Sequence, residues 1–182
     1  MTRAAETKSQ RGDNKGGVMR MLLLVAALGV GLALVAKRPS GPPVGAPAAD
    51  FDLASTDGTQ VTLASLRGAP VVMEVFASWC SACRRSAPML RDAATSQRKQ
   101  PVHFLGINVD DDSRLAARVK QAWQIPYPVL HDDGSVAAKY KVQVLPTFVV
   151  LDAEGNVRHV SAGSVSEEVL ESWLGDLGAA RL

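Results

Sequence analysis

The residues best suited to chemistry are Cys80 and Cys83, in the run Trp79-Cys80-Ser81-Ala82-Cys83, and the 182-residue sequence has no other cysteine. A pair at this spacing supports either thiol-disulfide exchange or one half of a metal site. Tetrahedral zinc usually takes four protein ligands. There is no second cysteine pair, and His103, His131 and His159 are scattered along the chain, so no metal is expected. Two cysteines so close together also make a poor structural staple. Where a strand runs into a helix, unpaired N–H groups and a partial positive charge face the first sulfur and favour its thiolate. Cysteines in that setting titrate at roughly 3.5 to 7.5. Cys80 is therefore the expected nucleophile and Cys83, one turn further on, the resolving thiol.

The surrounding sequence supplies that junction. Val71 to Phe76 reads as a strand buried on both faces, Cys80 to about Gln97 as a helix, and Val102 to Asn108 as the next strand, together a βαβ unit. Upstream, the short runs at 51–53 and 60–62 flank Thr56-Asp57-Gly58 and predict a β-hairpin. Downstream, an N-cap within Asp110 to Ser113 opens a helix that Ile125-Pro126 stops, and Val129 to His131 form a short strand. A second hairpin follows, of Thr147 to Leu151 and Val157 to Ser161, and Ser164 with Glu167 predicts a capping box for the last helix. Trp123, Tyr140 and Trp173 fall at packing positions.

Within the first buried strand, Glu74 has apolar neighbours on both faces, which predicts a buried carboxyl with a raised pKa, able to take and return a proton near the cysteines. The alternative is a strand-edge glutamate that reaches solvent. Trp79 is expected at the rim of the reactive sulfur. Arg84 and Arg85 either favour the thiolate or form a solvated helix face.

Charge separates the two ends of the chain. Residues 1–38 hold seven Lys or Arg against two acids, and the remainder is net −3, which argues against nucleic-acid binding by the folded part. Residues 1–20 read as a basic cytoplasmic tail and 21–38 as a single-pass membrane anchor, with a cleaved signal peptide or a buried core helix as alternatives. Five basic residues precede the apolar run Met21 to Ala36 and two follow it, which places the domain on the extracytoplasmic side. Residues 39–49, rich in Pro, Gly and Ala, read as a tether to a domain spanning 50–182.

The segment from Glu74 to Cys83, Pro88 five residues further on, and Val144-Leu145-Pro146-Thr147-Phe148 together resemble the signatures of thioredoxin-like proteins. The anchor, the early hairpin and the strand-helix insertion between Asn108 and Lys141 are similar to the TlpA/ResA group. The resemblance covers about residues 46 to 178. It implies an α/β thioredoxin-like fold, with a central mixed sheet flanked by helices, and a cis bond at Leu145-Pro146 that leaves the Leu145 backbone free to pair with substrate. Glu74 matches the buried acid of thioredoxin, whose partner lysine is replaced here by Gly106. The Ser81-Ala82 dipeptide matches no pair tied to one direction of electron flow.

The resemblance also implies a monomeric protein-disulfide reductase with no cofactor beyond its own disulfide. A membrane thiol-electron donor would reduce it, and apocytochrome c or copper-site assembly proteins would be its substrates. An oxidase or isomerase of the same fold, a copper-binding assembly factor and a peroxidase are the alternatives.

Overall fold

The computed structural model describes Arg20 and residues 40–182. The expected anchor and basic tail lie outside these residues, apart from Arg20. Among the described residues, no helix is long and apolar enough to cross a membrane.

The domain is built on a five-stranded sheet in the order β5-β4-β3-β6-β7. Its strands are β3 (Val71–Phe76), β4 (His103–Asn108), β5 (Val129–His131), β6 (Thr147–Leu151) and β7 (Val157–Ala162). β3, β4 and β5 run parallel, whereas β6 is antiparallel to both β3 and β7, which makes the sheet mixed. A separate hairpin of β1 (Asp52–Ala54) and β2 (Gln60–Thr62) turns at Asp57-Gly58, where Gly58 takes a φ of 85°. A Ser55 to Leu130 bridge joins this hairpin to the β5 edge.

The strands are apolar because both faces of the sheet are covered. On one face, Val72, Phe76, Phe104, Phe148 and Val150 pack with residues of three helices: α1 (Ser81–Thr95), α2 (Ser113–Ala122) and α4 (Glu167–Asp176). On the other, Val71, Met73, Val75, Ile107 and Val149 meet the hairpin, a 3-10 turn at Leu63–Leu66 and the short α3 (Ser135–Lys139). Tyr140, just after α3, is fully buried and donates its hydroxyl to the Ala49 carbonyl at 2.8 Å.

Two local expectations are corrected. Residues 40–49 are not a free tether: Gly41 N–H donates to Lys141 O, Ala48 N–H to Gly155 O and Val157 N–H to Ala46 O, and Ala48 is buried. Proline-rich backbone thus finds sheet and loop partners here instead of water. The last helix is capped by Ser166, whose hydroxyl accepts from Val169 N–H at 3.4 Å, not by Ser164. Val165 packs against the core and keeps that stretch extended, so Glu167 becomes the first helical residue. Within the stretch Asp110 to Ser113, as expected, the cap of α2 is Asp112, which accepts from Arg114 N–H at 3.0 Å, and Asp110 is left for another use.

Behind the sheet, Arg98 fixes α1 to the end of α4. Its side chain is 5% exposed, and its guanidinium forks onto both Glu171 carboxylate oxygens at 2.9 and 2.8 Å and also donates to the Ala93 and Ala179 carbonyls. Removing Arg98 leaves the Glu171 carboxylate with only the Arg181 guanidinium, 3.1 Å away, and strips a largely desolvated site of its main partner. Arg98→Ala is expected to lower unfolding free energy by about 3 kcal/mol, measured by denaturant titration; an unchanged midpoint would show that the pair contributes nothing.

Candidate active site

The site begins where β3 ends. Phe76 O accepts Val109 N–H at 3.0 Å, tying the ends of β3 and β4 together, and Cys80 N–H closes a turn onto Ala77 O at 3.1 Å. Cys80 is then the N-cap of α1, with extended backbone (φ −78°, ψ 103°), and its sulfur accepts the Cys83 N–H at 3.1 Å. Sulfur occupies the place usually held by a serine or aspartate oxygen. The first turn of the helix therefore holds Cys80 Sγ in the field that stabilises a thiolate when the pair is reduced.

Cys80 and Cys83 form a disulfide, with S–S 2.07 Å and Cα–Cα 5.3 Å. The two halves differ in access: Cys80 retains 7% of its surface and Cys83 none. An incoming thiolate or disulfide therefore meets Cys80. Trp79, 74% exposed, and the exposed Val144 present apolar surface in the two loops that carry the predicted signatures. The Leu145-Pro146 peptide bond is cis. Leu145 packs against the cluster that contains both cysteines, and it precedes Thr147, the first registered residue of β6. Pro88 lies inside α1, which continues through it to Thr95.

Glu74 is buried in the middle of β3, between Gly106 of β4 and Phe148 of β6. It shares its strand face with Val72 and Phe76, which pack in the same cluster as Cys80 and Cys83. Its Oε1 has no hydrogen-bond partner. Burial alone pushes its pKa up to about 8, so the neutral acid predominates at neutral pH with an appreciable ionised fraction. Burial, and then the Glu74 charge, raise the Tyr127 phenol as well. The space opposite Glu74 holds no base: a Cβ on Gly106 would come within 2.9 Å of the Phe76 ring.

One part of the site was not anticipated. The Asp110 side chain turns inward and accepts Ser78 N–H at 2.9 Å, Ser78 Oγ–H at 3.0 Å and Asn108 Nδ2–H at 2.8 Å. The available signal was a polar pair, Asn108 and Asp110, at the end of an otherwise buried strand. Arg84 and Arg85 are both exposed on α1, as a solvated face requires. His159 stacks on Trp173 at 5.0 Å, remote in sequence from the cysteines, and no cluster of potential metal ligands occurs among the described residues.

A thioredoxin-like α/β fold whose first long helix is capped by a Cys-x-x-Cys disulfide defines a thiol-disulfide oxidoreductase. The chain belongs to the AhpC/TSA family, whose profile matches residues 44–160. It is 28% identical over 156 residues to the thiol-disulfide oxidoreductase ResA of Geobacillus thermodenitrificans, covering 85% of this chain and 90% of that one. It is 30% identical over 166 residues to the thiol:disulfide interchange protein DsbE of Xylella fastidiosa, covering 87% and 82%. Among solved structures, a secreted Mycobacterium tuberculosis disulfide oxidoreductase homologous to E. coli DsbE superposes with a TM-score of 0.61 at 27% identity, covering 70% of this chain and 96% of that one.

The buried acid makes stability depend on pH. Its pKa is raised in the fold, so the folded chain binds that proton more tightly than the unfolded chain does. The stability it contributes is complete below its ordinary value of 4.5 and is lost as pH rises through about 8. Glu74→Gln is expected to flatten this decline and leave the oxidised protein more stable at the alkaline end, by up to several kcal/mol. Thermal unfolding of both proteins across that range checks it, and parallel curves would mean that Glu74 is not the titrating group.

Proposed function

We propose that this chain is an extracytoplasmic, membrane-anchored reductase of protein disulfides, held by residues 21–38 and working through Cys80 and Cys83. The observation that carries the reading is Glu74, an unpaired buried carboxyl on the core side of the disulfide. A strongly oxidising pair owes its potential to a stabilised reduced thiolate. A nearby carboxyl opposes that stabilisation whenever it ionises, which favours the disulfide and so a more reducing couple.

In the forward reaction the Cys80 thiolate attacks a substrate disulfide, forming a mixed disulfide and releasing one substrate thiolate. Cys83 loses its proton and attacks the Cys80 sulfur, releasing the second substrate thiolate. Two electrons pass to the substrate and Cys80-Cys83 is left oxidised. Glu74 serves as the store for the Cys83 proton. Trp79 supplies apolar contact, and the backbone at Leu145, ahead of Pro146, supplies an edge on which extended substrate pairs. A membrane thiol donor returns the pair to its dithiol form. Likeness to proteins called ResA and DsbE supports thiol exchange, and the paired cysteines of apocytochrome c or of copper-site assembly proteins are substrates of the right chemistry. The secreted mycobacterial relative, and the five Lys or Arg before the apolar run against two after it, support the extracytoplasmic placement.

Equilibration with thiol buffers is expected to give a potential at or below about −220 mV, towards the roughly −270 mV of thioredoxin. A value near −120 mV would make the protein an oxidant and overturn the direction proposed. Cys83→Ala is expected to accumulate mixed disulfides through Cys80, visible as reducible high-mass bands on non-reducing gels. Fast consumption of peroxide by the wild-type chain would instead favour the peroxidase alternative.

A further inference from the structure

We propose that Asp110 is a positioning residue for Cys80: it holds the Ala77-Ser78-Trp79 loop in place and sets, by its charge, how readily the Cys80 thiolate forms. The inference rests on the reading of Cys80 and Cys83 as a dithiol-disulfide pair, but not on the direction of electron flow.

The geometry is that of an ionised acid. Every hydrogen bond its carboxyl makes is accepted: two donors come from Ser78 and one from Asn108, whose own Oδ1 accepts Asp110 N–H at 3.3 Å. Asp110 and Asn108 are both buried, and no ion pair among the described residues includes Asp110. The charge is thus held by dipoles and not neutralised by a cation. Ser78 lies two residues before Cys80, a backbone reach of about 7 Å. With the 2.9 Å bond to Ser78 N–H and the Cys80 side chain added, the carboxylate sits within about 13 Å of the Cys80 sulfur, where a full charge changes the acidity of the thiol about tenfold at protein-like screening. The helix N-terminus favours the thiolate, and the Asp110 charge opposes it.

Other charged groups meet this region. Arg84 and Arg85 stand on α1 and Glu74 on β3, while Asp111, His131, Asp132 and Asp133 line the same surface cavity as Asp110. Asp132 accepts Val136 and Ala137 N–H and Asp133 accepts Ser135 N–H, so both cap the start of α3. Of these acids, Asp110 alone bonds the loop that leads into Cys80. All the other groups are retained in the variants below and cancel in the differences.

The test uses the full chain in detergent, with two readouts: the pH dependence of Cys80 alkylation, and the equilibrium in which the protein dithiol and glutathione disulfide give the protein disulfide and two glutathione thiols. Asp110→Asn keeps the size of the side chain and removes its charge. It is expected to make the Cys80 thiol about tenfold more acidic, so that the thiolate fraction rises by up to about tenfold where the thiol is mostly protonated, and the equilibrium shifts by up to about tenfold, about 30 mV, towards the protein dithiol where it is mostly ionised. Ser78→Ala removes one donor and leaves the charge less compensated, so both readouts should move the opposite way by a smaller factor. The proposal is overturned if Asp110→Asn folds with both readouts within twofold of wild type or shifted the other way. Should Asp110→Asn not fold, the sign of the Ser78→Ala change decides, and no change or a change in the Asp110→Asn direction overturns it. The differences are taken against the wild-type chain, so they stand whether its absolute potential proves reducing or oxidising.

Discussion

A helix N-terminus needs acceptors for its first N–H groups, and at α1 the acceptor is sulfur: Cys83 N–H points at Cys80 Sγ. The rest of the domain keeps that contact in place. β3 brings the chain to the helix start from a strand covered on both faces, and the β4 end clamps it through Val109 and Phe76. Asp110 pins the loop between strand and helix. The loop that carries Leu145 closes against the same apolar cluster. Cys83 is enclosed because it lies one turn down a helix already committed to the core.

Two acids are buried near the pair, and the fold treats them in opposite ways. Glu74 has an oxygen without a donor, so its environment favours the neutral form and the group becomes a proton reservoir. Asp110 is given three donors, which suit the charged form and make it a fixed electrostatic element. The distinction cannot be read from burial, since both carboxyls are largely out of water. It follows from where each lies: Glu74 mid-strand, where neighbouring N–H groups are spent on the ladder, and Asp110 just past a strand end, where loop N–H groups are available.

Much of this was legible in the sequence because the signals were local. The continuous apolar run at Val71 to Phe76 marked the central strand, and Cys80-Ser81-Ala82-Cys83 marked the helix start. A glutamate flanked by apolar residues on both faces marked a buried acid. Contacts far apart along the chain were not legible. Nothing in residues 40–49 announces bonds to Lys141, Gly155 and Val157, since proline and glycine read equally well as a tether. Asp110, Asp111 and Asp112 are equivalent cap candidates until the register of β4 decides which turns inward. The fork of Arg98 onto Glu171 joins residues 73 apart and has no periodic signature.

The glycine opposite Glu74 has a consequence for how sequences of this kind can diverge. A Cβ at Gly106 would lie 2.9 Å from the Phe76 ring and 3.3 Å from Val129. The ring therefore occupies the room that a basic neighbour of Glu74 would need. Positions 76 and 106 are coupled: a lysine at the second requires something smaller than phenylalanine at the first, and the smaller residue alone would leave a cavity. Drift at this pair must proceed by compensated steps, and a lineage that has placed the large ring here is steered away from a buried acid-base couple towards an acid that works without a counter-charge.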